Sequence, residues 1–314
     1  MGIAPGAVTL ARVRRDDGQA PRLDLCDWRA LESATGAGEA VAALADEHEI
    51  GQMPVVTVLE PGSFNLLLVE APEVDATELK AAVRWRIKDM LDFHIDDAVI
   101  DVFDIPGQRE RGRTRMMYVV AARVSTVQER IDVLEGGGLA LQVIDIPELA
   151  QRNVAALLPE DADGVALLHL DESGGLITLT HEDTLYLARS IDTGLEDLVS
   201  AQSEPVASSA EDLSFDGPAP ARQRAMDSIV LEVQRSLDYY ESHFSQPPIK
   251  SLVIAPLARE VEGLVSYLAA NLGVQVRMLD LNDVLVSPEP LDFALQARCL
   301  AAIGAALRRE ETVL

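Results

Sequence analysis

The hydrophobic pattern of this chain changes period several times, and each change marks an element. "IAPGAVTLARVRRDDGQAPRLDLCDW" places Asp16-Asp17-Gly18 between two apolar runs. That arrangement predicts strand, turn and strand, because Asp-Gly between apolar runs favours a hairpin. A helix is expected near Gly38 to His48. "PVVTVLE" and "FNLLLVEAP", separated by Pro61-Gly62-Ser63, predict a second hairpin. From Asp75 the period turns helical. Asp75 with Glu78 three residues on makes a capping-box pattern, and Leu79, Val83, Ile87, Met90 and Leu91 form the buried stripe of a helix through about Asp92. Trp85 falls nearly opposite that stripe, and the general habit of tryptophan favours packing under a neighbouring element over waiting for a partner.

"AVIDVFDI" and "TRMMYVVAARV" read as strands flanking the basic loop "PGQRERGR", which either grips an acidic partner or is simply solvated. Helix, strand and helix follow in "STVQERIDVLEGGGLALQVIDIPELAQRNVAALL". Gly136-Gly137-Gly138 sits after a helix rather than before one, so it reads as a C-terminal stop and not a phosphate loop. Between Gly164 and Asp192, "GVALLHLDESGGLITLTHEDTLYLARSID" offers an apolar run, a small Gly-containing turn and a second apolar run, a β-hairpin. Residues 200–224, rich in Ser, Ala, Pro and acids, read as a long mobile loop. Met226, Val230, Val233, Leu237, Tyr240 and Phe244 then mark a long amphipathic helix ending before Pro247-Pro248. "SLVIAP", "EVEGLVSYLAANLG" and "VQVRML" make a βαβ unit, and Leu291, Leu295, Cys299, Ile303 and Leu307 share one face of a last helix.

Composition narrows the function classes. With 314 residues and 48% hydrophobic content the chain suffices for two packed lobes. No run approaches the roughly 18–20 apolar residues of a membrane span, and the N-terminus lacks a secretory pattern, so a soluble, cytoplasmic protein is expected. Cys26 and Cys299 have no CxxC spacing and are expected to be buried reduced thiols. Twenty-six Lys and Arg against 52 Asp and Glu give a net charge of −26, which repels nucleic acid and anionic lipid alike. Work at a membrane would then require another protein to bring this one there. His94, Asp96 and Asp97 resemble a metal cluster, but their place between a helix and a strand favours backbone capping. His48, His169, His181 and His243 are scattered without a matching nucleophile. No catalytic or metal-binding residue is expected.

Two segments carry a resemblance. "LLLVEAPEVDATELKAAVRWRIKDMLDFHIDDAVIDVFDIP" and "LEVQRSLDYYESHFSQPPIKSLVIAP" resemble the MshI family of MSHA-type pilus biogenesis proteins, relatives of the type IV pilus PilM family. The resemblance spans nearly the whole chain. It implies an α/β, actin-like (ribonuclease H-like) fold of the kind shared with FtsA, with two lobes and an inserted FtsA/PilM-type subdomain. On that basis residues 1–73 with 147–163 form the first lobe, 74–146 the insertion and 164–314 the second lobe. The resemblance further implies a cytoplasmic assembly-platform protein held at the inner membrane by the tail of a PilN-like bitopic partner, in contact with other pilus platform components and without membrane insertion of its own. In PilM-like proteins that tail is a short apolar peptide in a groove of the first lobe and its insertion, which makes Trp85 and Phe93 candidate contacts.

An actin-like ATPase wraps the phosphates with two hairpins, each begun by an acid that positions Mg²⁺, and lays a Gly-rich turn against the adenosine. Where PilM-like proteins carry Asp-Ile-Gly and serines, "GIAPGAVTL" has Gly6 and no acid before Asp16. In the second hairpin His169-Leu170-Asp171 stands against Asp-Ile-Gly, and Gly174-Gly175-Leu176 against a run of hydroxyls. At the adenosine turn Pro256, Leu257 and Ala258 stand where PilM-like proteins have three glycines, with Gly263 following. Gly6, Asp171, Gly174, Gly175, Pro256 and Gly263 thus mark a degenerate cleft, and neither a cofactor nor ATPase activity is expected. The alternatives are an active ATPase using ATP and Mg²⁺ with Asp171 as the metal-positioning acid, or the cytoplasmic platform component of a type II secretion system, which would normally continue into a transmembrane helix.

Overall fold

A computed structural model of the chain describes residues 1–4, 6–16, 18–31, 36–51, 53–106, 115–199, 218–244 and 246–309. They pack as two compact units. The first comprises Met1–Arg14, Leu23–Ala150 and Ala301–Leu314, and the second Arg15–Arg22 and Gln151–Leu300.

The first unit is built on a five-stranded sheet of β1 (Gly2–Ala4), β2 (Ala7–Arg14), β3 (Arg22–Ala30), β4 (Pro54–Val58) and β8 (Ala140–Asp145), in the order β3-β2-β1-β4-β8. β1 runs antiparallel to β2, with Gly2 opposite Thr9, and parallel to β4; β4 and β8 are parallel. Parallel neighbours need a crossover to connect them. α1 (Ala37–Glu47) provides it between β3 and β4, and α3 (Val124–Gly136) leads into β8. Val8, Leu10, Val41, Leu44, Val55 and Leu134 form one core between this sheet and the two helices.

Within the same unit, β5 (Phe64–Glu70), β6 (Ala98–Asp104) and β7 (Met116–Arg123) form a separate antiparallel sheet in the order β5-β7-β6. α2 (Ala76–Ile87) packs on it through Val83 and Ile87, against Val69, Val102, Met117 and Val119.

The second unit holds β9 (Val165–Leu170), β10 (Gly175–His181), β11 (Thr184–Ile191), β12 (Ser251–Ile254) and β13 (Gln275–Met278), in the order β11-β10-β9-β12-β13. β9 to β11 form an antiparallel meander, and β12 and β13 join it in parallel. The strand order of the first unit is thereby repeated. α5 (Leu195–Val199), α6 (Pro218–His243) and α7 (Leu264–Leu272) accompany the sheet. α4 (Pro147–Ala155) and α8 (Phe293–Ala306) each pass from one unit into the other along their length.

Several expectations are corrected. β4 and β5 do not pair. The Pro61-Gly62-Ser63 turn between them hands the chain from one sheet to another, so the local hairpin signal is overridden by the pairing of β4 with β1 and β8. For the same reason the insertion is not 74–146: its sheet begins at β5, while α3 and β8 belong to the five-stranded sheet's layer. Residues 151–163 pack with the second unit and residues 301–309 with the first. α2 stops at Ile87, leaving Met90 exposed, because Leu91 and Phe93 turn back onto the small sheet's core. Asp75 is its N-cap, but through its backbone carbonyl, which accepts from Glu78 N at 2.9 Å; its side chain makes no capping bond. The expected β9–β10 hairpin has a third strand, β11. Glu182 and Asp183 link it to β10 with both φ angles positive, 48° and 62°, as a type I′ hairpin turn requires.

α6 starts at Pro218, inside the segment read as a loop, since proline is tolerated in a first helical turn. The rest of that loop, 200–217, and the basic residues 107–114 lie outside the described residues. Both cysteines are free thiols, but only Cys299 is buried; Cys26 is half-buried on β3. No helix among the described residues is long and apolar enough to cross a membrane.

Candidate functional site

In the second unit, the turn between β9 and β10 is closed by its own side chain. Asp171 Oδ1 accepts the backbone N–H groups of Ser173 at 3.0 Å and Gly174 at 2.9 Å, while Asp171 N donates to the Gly174 carbonyl at 2.9 Å. The start of α5 then seals the turn from the other side. Leu195 N donates to the Asp171 carbonyl and Glu196 N to that of Glu172. Gly194 lies so close that an added Cβ would stand 2.5 Å from Gly174 N and 2.6 Å from the Ser173 carbonyl carbon. Gly174 and Gly175 have no more room: a Cβ would meet the Ile191 carbonyl oxygen at 2.9 Å and the His169 carbonyl oxygen at 2.7 Å respectively. Desolvation pushes the His169 pKa down against the pull of Asp171, favouring a neutral imidazole.

The segment after β12 adjoins this tip. Ala255 N donates to the Leu168 carbonyl at 2.8 Å, and Arg259 pairs with Glu172. Pro256 and Leu257 are buried, so the space at this turn is filled by side chains. Gly263, with φ of +77°, is the N-cap of α7. Asp171, Gly174, Gly175 and Pro256 are therefore neighbours along one end of β9 and β12. Gly6 lies in the first unit, in the β1–β2 turn, where its carbonyl accepts from Leu31 N and a Cβ would meet nothing within 4 Å.

On the small sheet the expectation for tryptophan reverses. Trp85 is 74% exposed on the outer face of α2, with Lys88 Nζ 5.4 Å from its ring centre. The helix beneath it is pinned by Lys80 to Asp101 at 2.8 Å, Arg84 to Asp96 at 2.9 Å, and Arg86 to the Glu70 carbonyl at 2.6 Å. Each exposed pair is worth little alone, but together they fix the face that carries Trp85. Phe93 instead packs against the sheet's core, with the Arg123 guanidinium 4.4 Å above its ring. His94 Nδ1 accepts from Asp96 N at 3.2 Å, so that histidine caps a turn.

Two polar clusters escaped the sequence. In the second unit Gln151 Nε2 donates to the Leu167 carbonyl at 2.6 Å and Thr178 Oγ1 at 3.0 Å, and Asp161 accepts from Thr180 Oγ1 at 2.6 Å and Asp183 N at 2.7 Å. All four side chains are buried on the β9–β10 layer, so these bonds specify its register. In the first unit, Asp145 at the end of β8 takes a hydrogen bond from Arg308 at 3.0 Å. Beside it Glu148, in the first turn of α4, is buried with Oε2 unpartnered. Burial, helped by the negative charge of Asp145 and opposed by a backbone N–H, raises the Glu148 pKa to about 7. Only the run "DIPEL", acids flanking a helix-starting proline, hinted at this cluster.

A five-stranded sheet in the order 3-2-1-4-5, occurring once in each compact unit, defines the actin-like fold. No family model and no curated protein matches the chain. Among solved structures it is similar to the PilM–PilN type IV pilus biogenesis complex, with a TM-score of 0.73 at 21% identity over 98% of this chain and 96% of that one. It also matches the cytoplasmic domain of EpsL, an inner membrane component of the type II secretion system of Vibrio cholerae, with a TM-score of 0.45 at 13% identity over 94% and 95% of the two chains. A Bacteroides thetaiotaomicron protein with an actin-like ATPase fold gives a TM-score of 0.43 at 8% identity over 92% and 95%. The first of these likenesses establishes the fold.

Proposed function

We propose that this chain is a cytoplasmic assembly-platform protein of a type IV pilus machine of the MSHA type, which binds the cytoplasmic tail of a PilN-like bitopic inner-membrane protein and holds no nucleotide. The observation that carries this reading is the shared fold with PilM, end to end, in a complex whose other member is PilN. Trp85 supports it: a large aromatic held out on a pinned helix is the kind of residue that anchors a peptide. Phe93, partly buried against the small sheet's core, is the weaker candidate contact of the two. The absence of nucleotide is supported by the β9–β10 turn, whose N–H groups at Ser173 and Gly174 already have a partner, and by the buried Pro256 and Leu257.

Calorimetric titration of the full chain with a synthetic tail of the PilN-like partner tests the first part. Binding is expected, and Trp85→Ala is expected to weaken it about tenfold or more, as loss of an aromatic anchor does. A wild-type chain that ignores the tail overturns the platform reading; unchanged affinity in Trp85→Ala moves the contact elsewhere. Titration with Mg·ATP is expected to release no heat. Micromolar binding, or phosphate release abolished by Asp171→Ala, would establish the ATPase alternative instead.

A further inference from the structure

We propose that Asp27, Glu47 and His48 form a binding site for a divalent transition-metal ion of the borderline class that zinc represents. Asp27 projects from β3, while Glu47 and His48 are the last residue and the C-cap of α1. His48 Nε2 stands 2.9 Å from Asp27 Oδ2, and one ligand atom from each residue lies within 4.8 Å of the other two. Among the described residues this is the one group of three such side chains brought together. Ligands about 2.0–2.1 Å from a tetrahedral zinc are separated by roughly 3.3 Å, so side-chain rotations alone close the triangle.

The donor set selects the class of ion. One imidazole nitrogen with two carboxylates suits zinc and its neighbours, whereas magnesium and calcium prefer oxygen throughout. Two carboxylates balance the 2+ charge, and Nε2 binds the metal through the lone pair of a neutral imidazole whose single proton sits on Nδ1. The C-terminal end of α1 adds its negative dipole end and carries no basic residue in its last turn. Its present cationic neighbour is Arg29, whose guanidinium donates to Glu47 Oε2 at 2.6 Å. Both side chains are partly exposed, so Arg29 can swing into solvent when a metal takes its role.

Arg29 also separates this reading from a purely structural one, in which two ion pairs merely tie α1 to β3. Removing the arginine then does nothing for zinc affinity; at a metal site it removes a repelling charge and raises that affinity. The experiment is titration of the full chain with zinc chloride in millimolar magnesium, which occupies the general acidic surface. The expected result is one saturable zinc equivalent, weakened at least about tenfold by His48→Ala or Asp27→Asn and tightened by Arg29→Gln. His48→Gln, which keeps a hydrogen-bonding side chain beside Asp27, serves if the alanine variant does not fold. Zinc should raise the melting temperature of the wild type and not that of His48→Gln. Equal zinc binding by the wild type and the histidine variants, or no saturable equivalent at all, overturns the proposal. Neither outcome depends on the pilus reading.

Discussion

Gly304→Ala is expected to destabilise the protein by about 3 kcal/mol, and Gly304→Val to yield no folded chain. At an ordinary helix-interior position glycine to alanine gains about 1 kcal/mol, because alanine loses less backbone freedom. Here α8 lies directly on α4: an added Cβ would stand 2.6 Å from the carbonyl carbon of Ala150 and 3.0 Å from its Cα. Both obstacles are main chain, so no rotamer change relieves them and the two helices must part. Parting them opens the small core of Val58, Ala150 and Ala305, and pulls on the Arg308–Asp145 bond a turn away. Urea unfolding of Gly304→Ala, set beside a substitution at the exposed Ala301 of the same helix, checks the claim. The Ala301 control should stay within about 0.5 kcal/mol of wild type, and a Gly304→Ala midpoint equally unmoved would mean that the helices do not touch there.

Glu148→Gln is expected to stabilise the protein above neutral pH and to change little below pH 5. The folded state raises the Glu148 pKa from its ordinary 4.5 to about 7, chiefly through burial and secondarily through Asp145. A carboxyl whose folded value is raised binds its proton more tightly in the native state. Its protonated form is compatible with the fold below pH 4.5, stability falls as pH climbs from there to about 7, and the full cost, about 3 kcal/mol, is present beyond. Glutamine keeps the shape without the charge, so the stability difference between variant and wild type should open across that window. Arg308 tempers the effect by neutralising Asp145. Denaturant midpoints at pH 5 and pH 8 provide the measurement. Parallel pH dependence of the two proteins would mean that water or a counter-charge already solvates the carboxylate.

Local signals in the chain reached as far as local physics governs the outcome. α1, α3, α6 and the βαβ unit of β12, α7 and β13 follow from periodicity and from the stops at Gly136–Gly138 and Gly273, because an amphipathic stripe and a left-handed glycine act within a few residues. Strand pairing does not. "PVVTVLE" and "FNLLLVEAP" flank an excellent turn, but each strand's partner is set by sequence many tens of residues away, β8 for one and β7 for the other. The repeated strand order was therefore reachable only through resemblance. The apolar stripe places Trp85 on the outer face of α2, but the general habit of tryptophan carries no information about whether another element covers that face. The tip residues Asp171, Gly174 and Gly175 could be found from their neighbours in sequence. Gly194, which seals that tip, becomes meaningful only when the start of α5 meets the β9–β10 turn, and the Asp145–Glu148 pair only when Arg308 reaches Asp145. An interior glycine in "LAAIGAAL" was the one visible trace of the α4–α8 contact.

The closed turn at Asp171 has a consequence for evolution and for design. A free anion arriving at the amides of Ser173 and Gly174 faces an intramolecular rival, the Asp171 carboxylate tethered two and three residues away along the same chain, whose local concentration no metabolite reaches. Building an anion pocket at this turn would thus take more than adding serines: the carboxylate already there must first be evicted, and the glycine packed against the turn must tolerate the loosened loop.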